Sequence, residues 1–240
     1  MSRVPGEVVS RRARPAKAPL SRDGIVATGL ELLSEQGLPG LSLRRIAAAL
    51  DTGPASLYAY VANLEELRAL VLDRALADVV EPAASNTEWR SRLKAILSSY
   101  LTVLLAKPGL AQLAATTIAS GPHAIRLTEN VLDALIDGGV DPEAAAWGID
   151  LLLLQVTGIA AEQDARRSQG DVIGRVARAY AEAPPEGLPR VHALHRELFS
   201  GSGPSRFEWA LDVLINGISR APRPPADTDT DTDTPGKDSS

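Results

Sequence analysis

Residues 41–61 read LSLRRIAAALDTGPASLYAYV, and this stretch decides the fold of the N-terminal part of the chain. Ser42 is a good N-cap, and the apolar residues that follow it recur with helical spacing over two turns. Residues 51–53 break that pattern, and Pro54 suits the first position of a second short helix. Two short helices joined by a three-residue turn have the size of a helix-turn-helix.

The two short helices separate an apolar side from a polar side. The residues predicted to pack inward are Ile46, Ala47, Leu50, Leu57 and Val61. The residues on the other side of the second helix, which we predict to run to about Val61, are Pro54, Ala55, Ser56, Tyr58 and Tyr60. Such small or hydrogen-bonding side chains suit the major groove of DNA, and Arg44 and Arg45 suit phosphates or a guanine edge. On spacing alone, a plain helical hairpin with surface tyrosines remains an alternative.

Helix-capping and helix-ending residues divide the rest of the chain into helical segments, so we predict an all-α protein. Ser21 caps a first helix that Gly37 ends, and Asn63 opens a fourth helix that runs to about Val80. No segment alternates as a strand does. Further helices are predicted at 88–106, 109–119, 122–138, 142–168, 171–182, 191–199 and 204–220.

Composition divides the chain into two domains between two tails. Residues 1–19 form a predicted disordered basic tail and residues 221–240 a disordered acidic tail with four Asp-Thr repeats. The net charge is −5, yet residues 1–60 carry eight basic against five acidic side chains. The basic end is therefore the one that suits phosphates. The domains between the tails are predicted at 20–80 and 85–220.

Several function classes are disfavoured. The chain has no cysteine, which excludes disulfides and thiolate sites. His192 and His195 share a helical face but lie in a Pro/Gly-rich connection without a second ligand pair, and no phosphate loop or nucleophile elbow is present. We therefore expect no enzyme, metal or cofactor. No apolar run reaches the roughly 18 residues that cross a bilayer, so we expect a cytoplasmic protein without a membrane partner.

Residues 20–80 resemble the DNA-binding domain of the tetracycline-repressor (TetR) family. The matching strings are LSRDGIVATGLELLSEQG from Leu20, GLSLRRIAAAL from Gly40 and ASLYAYVAN from Ala55. The resemblance implies that Arg44 contacts DNA from the second helix. It also implies that base edges and phosphates are met by Pro54, Ala55, Ser56, Tyr58 and Tyr60.

Three positions depart from the family pattern. Asp51 stands where glycine is usual, but aspartate tolerates a left-handed backbone, so the turn survives. Val61 replaces a common phenylalanine, and Leu64 replaces a lysine that often holds a phosphate. The tail cations Arg11, Arg12, Arg14 and Lys17 either compensate by following the DNA backbone or belong to a solvated start of the chain.

Beyond residue 85 the resemblance extends to the regulatory domain of the family. It implies that helices 142–168 and 204–220 of two subunits form a four-helix interface. An apolar stripe at helical spacing supports burial of the second helix, with packing inside its own subunit as the alternative: Phe207, Leu211, Leu214, Ile215 and Ile218. A ligand pocket is also implied, and its candidate lining residues are Leu113, Thr116, Thr117, Asn130, Trp147 and Gln155.

These features predict a DNA-binding transcriptional regulator. The resemblance implies a homodimeric repressor that binds a palindromic double-stranded operator and releases it when a small-molecule effector binds. The alternative is a helical small-molecule-binding or scaffold protein without DNA binding, which Leu64 and the acidic net charge keep open.

Overall fold

The computed structural model describes residues 19–82, 88–167 and 169–221. The prediction of an all-α fold is confirmed, since every regular element in these ranges is helical. The predicted tails, including Arg11, Arg12, Arg14 and Lys17, lie outside the described residues apart from their innermost positions.

The N-terminal unit has four helices and one 3-10 turn, Leu38–Gly40, that the sequence did not predict. The helices are α1 (Arg22–Gln36), α2 (Leu43–Ala49), α3 (Pro54–Leu57) and α4 (Leu64–Leu76). Three predicted N-caps are confirmed, because the side chains of Ser21, Ser42 and Asn63 accept from the amide nitrogen three residues ahead. Each of these caps stabilises a helix start by about 1 kcal/mol.

The larger part of the chain contains seven further helices in the described ranges. They are α5 (Trp89–Ala106), α6 (Leu110–Thr116), α7 (Pro122–Asp137), α8 (Pro142–Arg166), α9 (Val172–Ala181), α10 (Pro189–Leu198) and α11 (Gly203–Ile218). α5 packs on α7 and α8, while α6 lies between α4 and α8. α9 and α10 pack chiefly on each other.

Several predicted helix ends were wrong. α3 ends at Leu57, not near Val61, because the amides of Tyr60 and Val61 both donate to the carbonyl of Leu57 and tighten the chain into a turn. Asn63 then takes the extended backbone of an N-cap, which leaves α3 no room to continue. α4 and α6 are also shorter than predicted, and α10 begins at Pro189.

Close packing joins α1 to α4 in the N-terminal unit. Gly29 allows it, since a Cβ at this position would lie 2.9 Å from Cγ2 of Val71. Ile25, Leu33 and Leu67 are fully buried between these helices and their neighbours. α1 and α4 are therefore closely packed within one unit.

Polar contacts cross the interior of the larger part. The hydroxyl groups of Tyr100 on α5 and Thr157 on α8 are 2.8 Å apart and both buried. Burial is the main reason that the pKa of Tyr100 is raised above its ordinary value, and the hydrogen bond to Thr157 opposes this rise. The guanidinium of Arg92 on α5 binds Asp137 at the end of α7, at 2.8 Å.

The apolar stripe of α11 faces its own subunit, which corrects its assignment to the partner interface. Phe207, Leu211, Ile215 and Ile218 are buried, and Leu214 is partly buried against the same core. Gly148 of α8 lies so close to Ile218 that a Cβ there would be 2.6 Å from its Cγ2. The packing of α11 on α8 therefore buries this stripe within the same chain.

α8 is long and apolar enough to cross a membrane by length and composition alone. Its most apolar 18-residue window has a mean hydropathy of 1.6, and a third of that window is buried in this chain. Its buried residues, such as Leu152 and Val156, pack on the surrounding helices.

Candidate nucleic-acid interface

The turn between α2 and α3 is closed by backbone hydrogen bonds. The amide of Thr52 donates to the carbonyl of Ala47 at 2.9 Å. Asp51 has a φ of +48°, the one positive φ at a non-glycine position in the described chain. The expectation that aspartate tolerates a left-handed backbone here is confirmed, and the turn brings Pro54 to the first position of α3.

The apolar undersides of α2 and α3 fix the angle between them. Ile46, Ala47, Leu57 and Val61 are each at most 1% exposed. Leu50 is only half-buried, at the edge of this cluster. Since α3 is a single turn, Leu57 and Val61 are what hold it in place.

The seven residues predicted to meet DNA are all exposed: Arg44, Arg45, Pro54, Ala55, Ser56, Tyr58 and Tyr60. Tyr58 is 57% exposed and Tyr60 37% exposed. These exposed tyrosines, which follow the fully buried Leu57, form a surface with aromatic area and hydroxyl groups available to a partner.

The two arginines of α2 differ in their surroundings. The guanidinium of Arg45 donates to the side-chain oxygen of Gln36 at the end of α1. Arg44 makes no such hydrogen bond or ion pair with the rest of the described chain, so its charge is the more available of the two for an outside anion.

The first turn of α4 lacks a cation. Leu64 is half-buried against the core, and Glu65 is exposed. Glu66 turns back, so that one carboxylate oxygen accepts the amide of Ala62 at 2.5 Å and the other lies 2.5 Å from the guanidinium of Arg22. The hydrogen bond from Ala62 is the main reason that the pKa of Glu66 lies below its ordinary value. Desolvation opposes this shift, and the contact with Arg22 supports it.

The six predicted ligand-binding residues have unlike environments. Leu113 and Asn130 are buried, Thr117 and Gln155 are half-buried, and Thr116 and Trp147 are exposed. Gln155 lines a cleft of about 660 Å³ between α8 and the N-terminal part of α11. The six therefore do not share one type of site, and their role remains a prediction.

Several buried polar residues were not among those predicted from the sequence. Tyr100 and Thr157 pair in the interior, and Asp73 of α4 is 6% exposed. The signal was present for Asp73, because it interrupts an apolar run that includes Val71, Leu72 and Ala75. Its partners lie about fifty residues away, where no local pattern reports them.

α8 and α11 together present an exposed apolar surface. We call it the α8–α11 face and define it by Leu151, Leu154, Trp209 and Val213, which are 50%, 65%, 69% and 49% exposed. The two residues on each helix lie three or four positions apart, so they share one side of that helix. Contiguous exposed apolar patches of this kind are typical of surfaces that associate with a partner.

Family models match most of the chain. Residues 25–70 match the model described as bacterial regulatory proteins, tetR family, and residues 81–221 match the tetracyclin repressor-like C-terminal domain.

Solved structures and curated relatives show the same likeness. The transcription regulator SCO7704 of Streptomyces coelicolor is 41% identical, with 87% of this chain and 99% of that one covered and a TM-score of 0.73. ActR of Streptomyces coelicolor, in complex with actinorhodin, is 35% identical, with 84% and 97% covered and a TM-score of 0.76. The transcriptional repressor DrrR1 of Streptomyces coeruleorubidus is 36% identical over 55% of this chain. The chain spans 58% and 50% of the length of the first curated relatives that it matches.

Proposed function

Because the chain belongs to the tetR family of bacterial regulatory proteins, we propose that it is a cytoplasmic transcriptional repressor. It binds a palindromic DNA operator as a homodimer and releases the operator when a small molecule binds its C-terminal domain. Its activity is a change of binding affinity, with no catalytic step.

The observation that carries this proposal is the surface formed by α3 and the turn that follows it. Tyr58 and Tyr60 in that turn are exposed, while Leu57 and Val61 are buried. A short helix held by its underside can enter the major groove, where tyrosine and serine hydroxyls reach base edges and phosphates. Arg44 adds an exposed cation one helix earlier.

The α8–α11 face supports the homodimer. One α3 reaches only a few base pairs, so a useful affinity needs two copies related by a two-fold axis. The same surface patch on both subunits must then be self-complementary, and an apolar patch that includes Leu154 and Trp209 meets this need. Pairing would also cover the exposed side of the apolar helix α8.

Release by an effector follows from linkage. A small molecule lowers operator affinity only if it binds better to the conformation whose two α3 helices are wrongly spaced. The complex of the relative ActR with actinorhodin supports a small organic molecule as the kind of effector. The candidate residues for this site are the six named above.

Selection of duplexes from a random-sequence DNA pool by the purified chain tests the function. We expect a palindrome with half-sites about one DNA turn, ~34 Å, apart. Affinity for the selected duplex should fall steeply between about 50 and 200 mM salt, because phosphate contacts release counterions. A scaffold or ligand-binding protein without DNA binding would select no palindrome and show no such salt dependence.

A further inference from the structure

Asp73 is a buried carboxylate on α4 whose partners lie on another helix. Its Oδ1 accepts the backbone amides of His123 at 3.1 Å and Ala124 at 2.9 Å. Both amides are in the first turn of α7, where amides have no partner inside the helix. The N-cap residue of α7, Gly121, has no side chain to supply one. Asp73 therefore caps α7 from α4.

Gly121 leaves room for this contact. A Cβ at position 121 would lie 2.3 Å from Cγ of Asp73, which is far inside contact distance. The φ of Gly121 is −81°, a value open to any residue. The need for glycine thus comes from the approach of Asp73 and not from the backbone.

The two helices joined by Asp73 belong to different parts of the chain. α4 packs on α1 and begins three residues after Val61, so it belongs to the same unit as α3 and the turn that follows it. α7 packs on α5 and α8, and its far end is held by the ion pair between Arg92 and Asp137. α7 also packs on α4, and Asp73 adds to this packing two buried hydrogen bonds that tie the first turn of α7 to α4.

We propose that Asp73 is a positioning residue, which holds the DNA-binding unit against the C-terminal domain at the spacing that the operator requires. This inference rests on the proposed function. Hydrogen bonds from amides to a carboxylate are about twice as strong as those between neutral groups. Without them, each DNA-binding unit gains freedom that must be lost again on binding, which weakens affinity and blurs the preferred half-site spacing.

The variant Asp73→Ala with Gly121→Ser separates positioning from stability. Serine is a favoured N-cap, residue 121 already has the extended backbone of one, and loss of the Asp73 side chain frees the space. α7 is then capped locally, but the hydrogen bonds that tie its first turn to α4 are gone. If Asp73 only stabilises α7, this double variant behaves as the native chain.

The probe is the duplex selected by the native chain, together with the same duplex carrying two extra base pairs between its half-sites. We expect the double variant to keep the native melting temperature and dimeric state, to bind the selected duplex roughly tenfold more weakly, and to lose most of its preference over the lengthened one. Native affinity and native spacing preference would overturn the proposal. Asp78→Ala removes an exposed carboxylate just after α4 and should change neither. If the native chain selects no palindrome, the proposed function fails first, and this inference fails with it.

If the double variant does not form a native dimer, a pair of cysteines at positions 73 and 121 provides a second test of the positioning role. The ideal Cβ at 121 is 2.3 Å from Cγ of Asp73, so side chains at the two positions are direct neighbours, and the chain has no other cysteine. In the variant Asp73→Cys with Gly121→Cys, oxidation should restore the spacing preference and reduction should remove it. The same preference in both redox forms would overturn the proposal.

Discussion

The carboxylate of Glu66 and the guanidinium of Arg22 lie 2.5 Å apart and join the first turns of α4 and α1. The second oxygen of Glu66 accepts the amide of Ala62, in the link between the recognition turn and α4. One side chain thus ties three segments of the DNA-binding unit. Its negative charge, at the start of α4 and close to the proposed phosphate contacts, is paired with the positive charge of Arg22.

Glu66→Gln should lower the stability of the chain at pH 7. Because the pKa of Glu66 is lower in the folded chain, its ionised form contributes stability above the ordinary glutamate pKa, and this contribution is lost as the pH falls through the folded value. The difference between native and variant free energies of unfolding should therefore shrink below about pH 4. Urea denaturation at pH 7 and pH 3 measures it, with exposed Glu65→Gln as the control. Equal stabilities of native and variant at pH 7 would contradict the expectation.

Tyr58→Ala should weaken operator binding without loss of stability. A contact to a base edge contributes about 1–3 kcal/mol, or roughly 5- to 150-fold in affinity. The ring of Tyr58 is mostly exposed, so unfolding should change by at most about 0.5 kcal/mol. Leu57→Ala is the opposite case, since it removes a fully buried side chain and should cost about 2–5 kcal/mol of stability. Fluorescence anisotropy with the selected duplex measures the affinities and urea denaturation the stabilities, and an unchanged affinity of Tyr58→Ala would refute the role of this residue.

Arg44→Ala should reduce the dependence of operator affinity on salt. If its guanidinium holds a phosphate, the slope of log affinity against log salt falls by about one, equally for all sequences. If it instead reads a guanine, affinity falls at one position of the half-site and that position loses its preference. Titrations at several salt concentrations with single-base variants of the operator distinguish the two. No change in either quantity would remove Arg44 from the interface.

Gly109→Ala should be more damaging than Gly139→Ala. Both glycines have a left-handed φ, +79° and +76°, so alanine costs each about 1–2 kcal/mol. A Cβ at 139 meets nothing, whereas a Cβ at 109 would lie 2.7 Å from the amide nitrogen of Leu38. The amide of Gly109 is also held by Asp164 at 2.9 Å, which limits its retreat.

Thermal unfolding and operator affinity of the two variants check this difference. Gly109→Ala should lose more stability than the left-handed backbone alone costs. It should also bind the operator more weakly, because the added Cβ in the link between α5 and α6 would push against the residues that follow α1. Similar losses in both variants would show that the contact with Leu38 is easily relieved.

Leu154→Asp should shift the chain from dimer to monomer at micromolar concentration. Its side chain is 65% exposed on the α8–α11 face, so an aspartate there is tolerated by the monomer but is costly in an apolar interface. Ile118→Asp, at a residue 91% exposed outside this face, is the matched control and should remain dimeric. Sedimentation velocity gives the oligomeric state, and a dimeric Leu154→Asp would place the interface elsewhere.

Local features of this molecule were determined by the sequence itself. Ser21, Ser42 and Asn63 bond to amides three residues ahead, and Asp51 adopts its positive φ within a single turn. Such interactions depend on nearby residues alone, so their residue types and spacing predict them. The buried positions of Leu57 and Val61 followed from the same short-range periodicity.

Tertiary packing decided what periodicity leaves open. The stripe through Leu211 and Ile215 has one spacing whether it faces its own α8 or a partner, and only the assembled helices show that it faces its own. α3 stops at Leu57 because of the turn that leads into α4, and Asp73 finds its amides fifty residues away. A hydrogen bond or an apolar contact between distant segments leaves no recognisable pattern in the sequence of either segment, because its geometry exists only after the chain has folded.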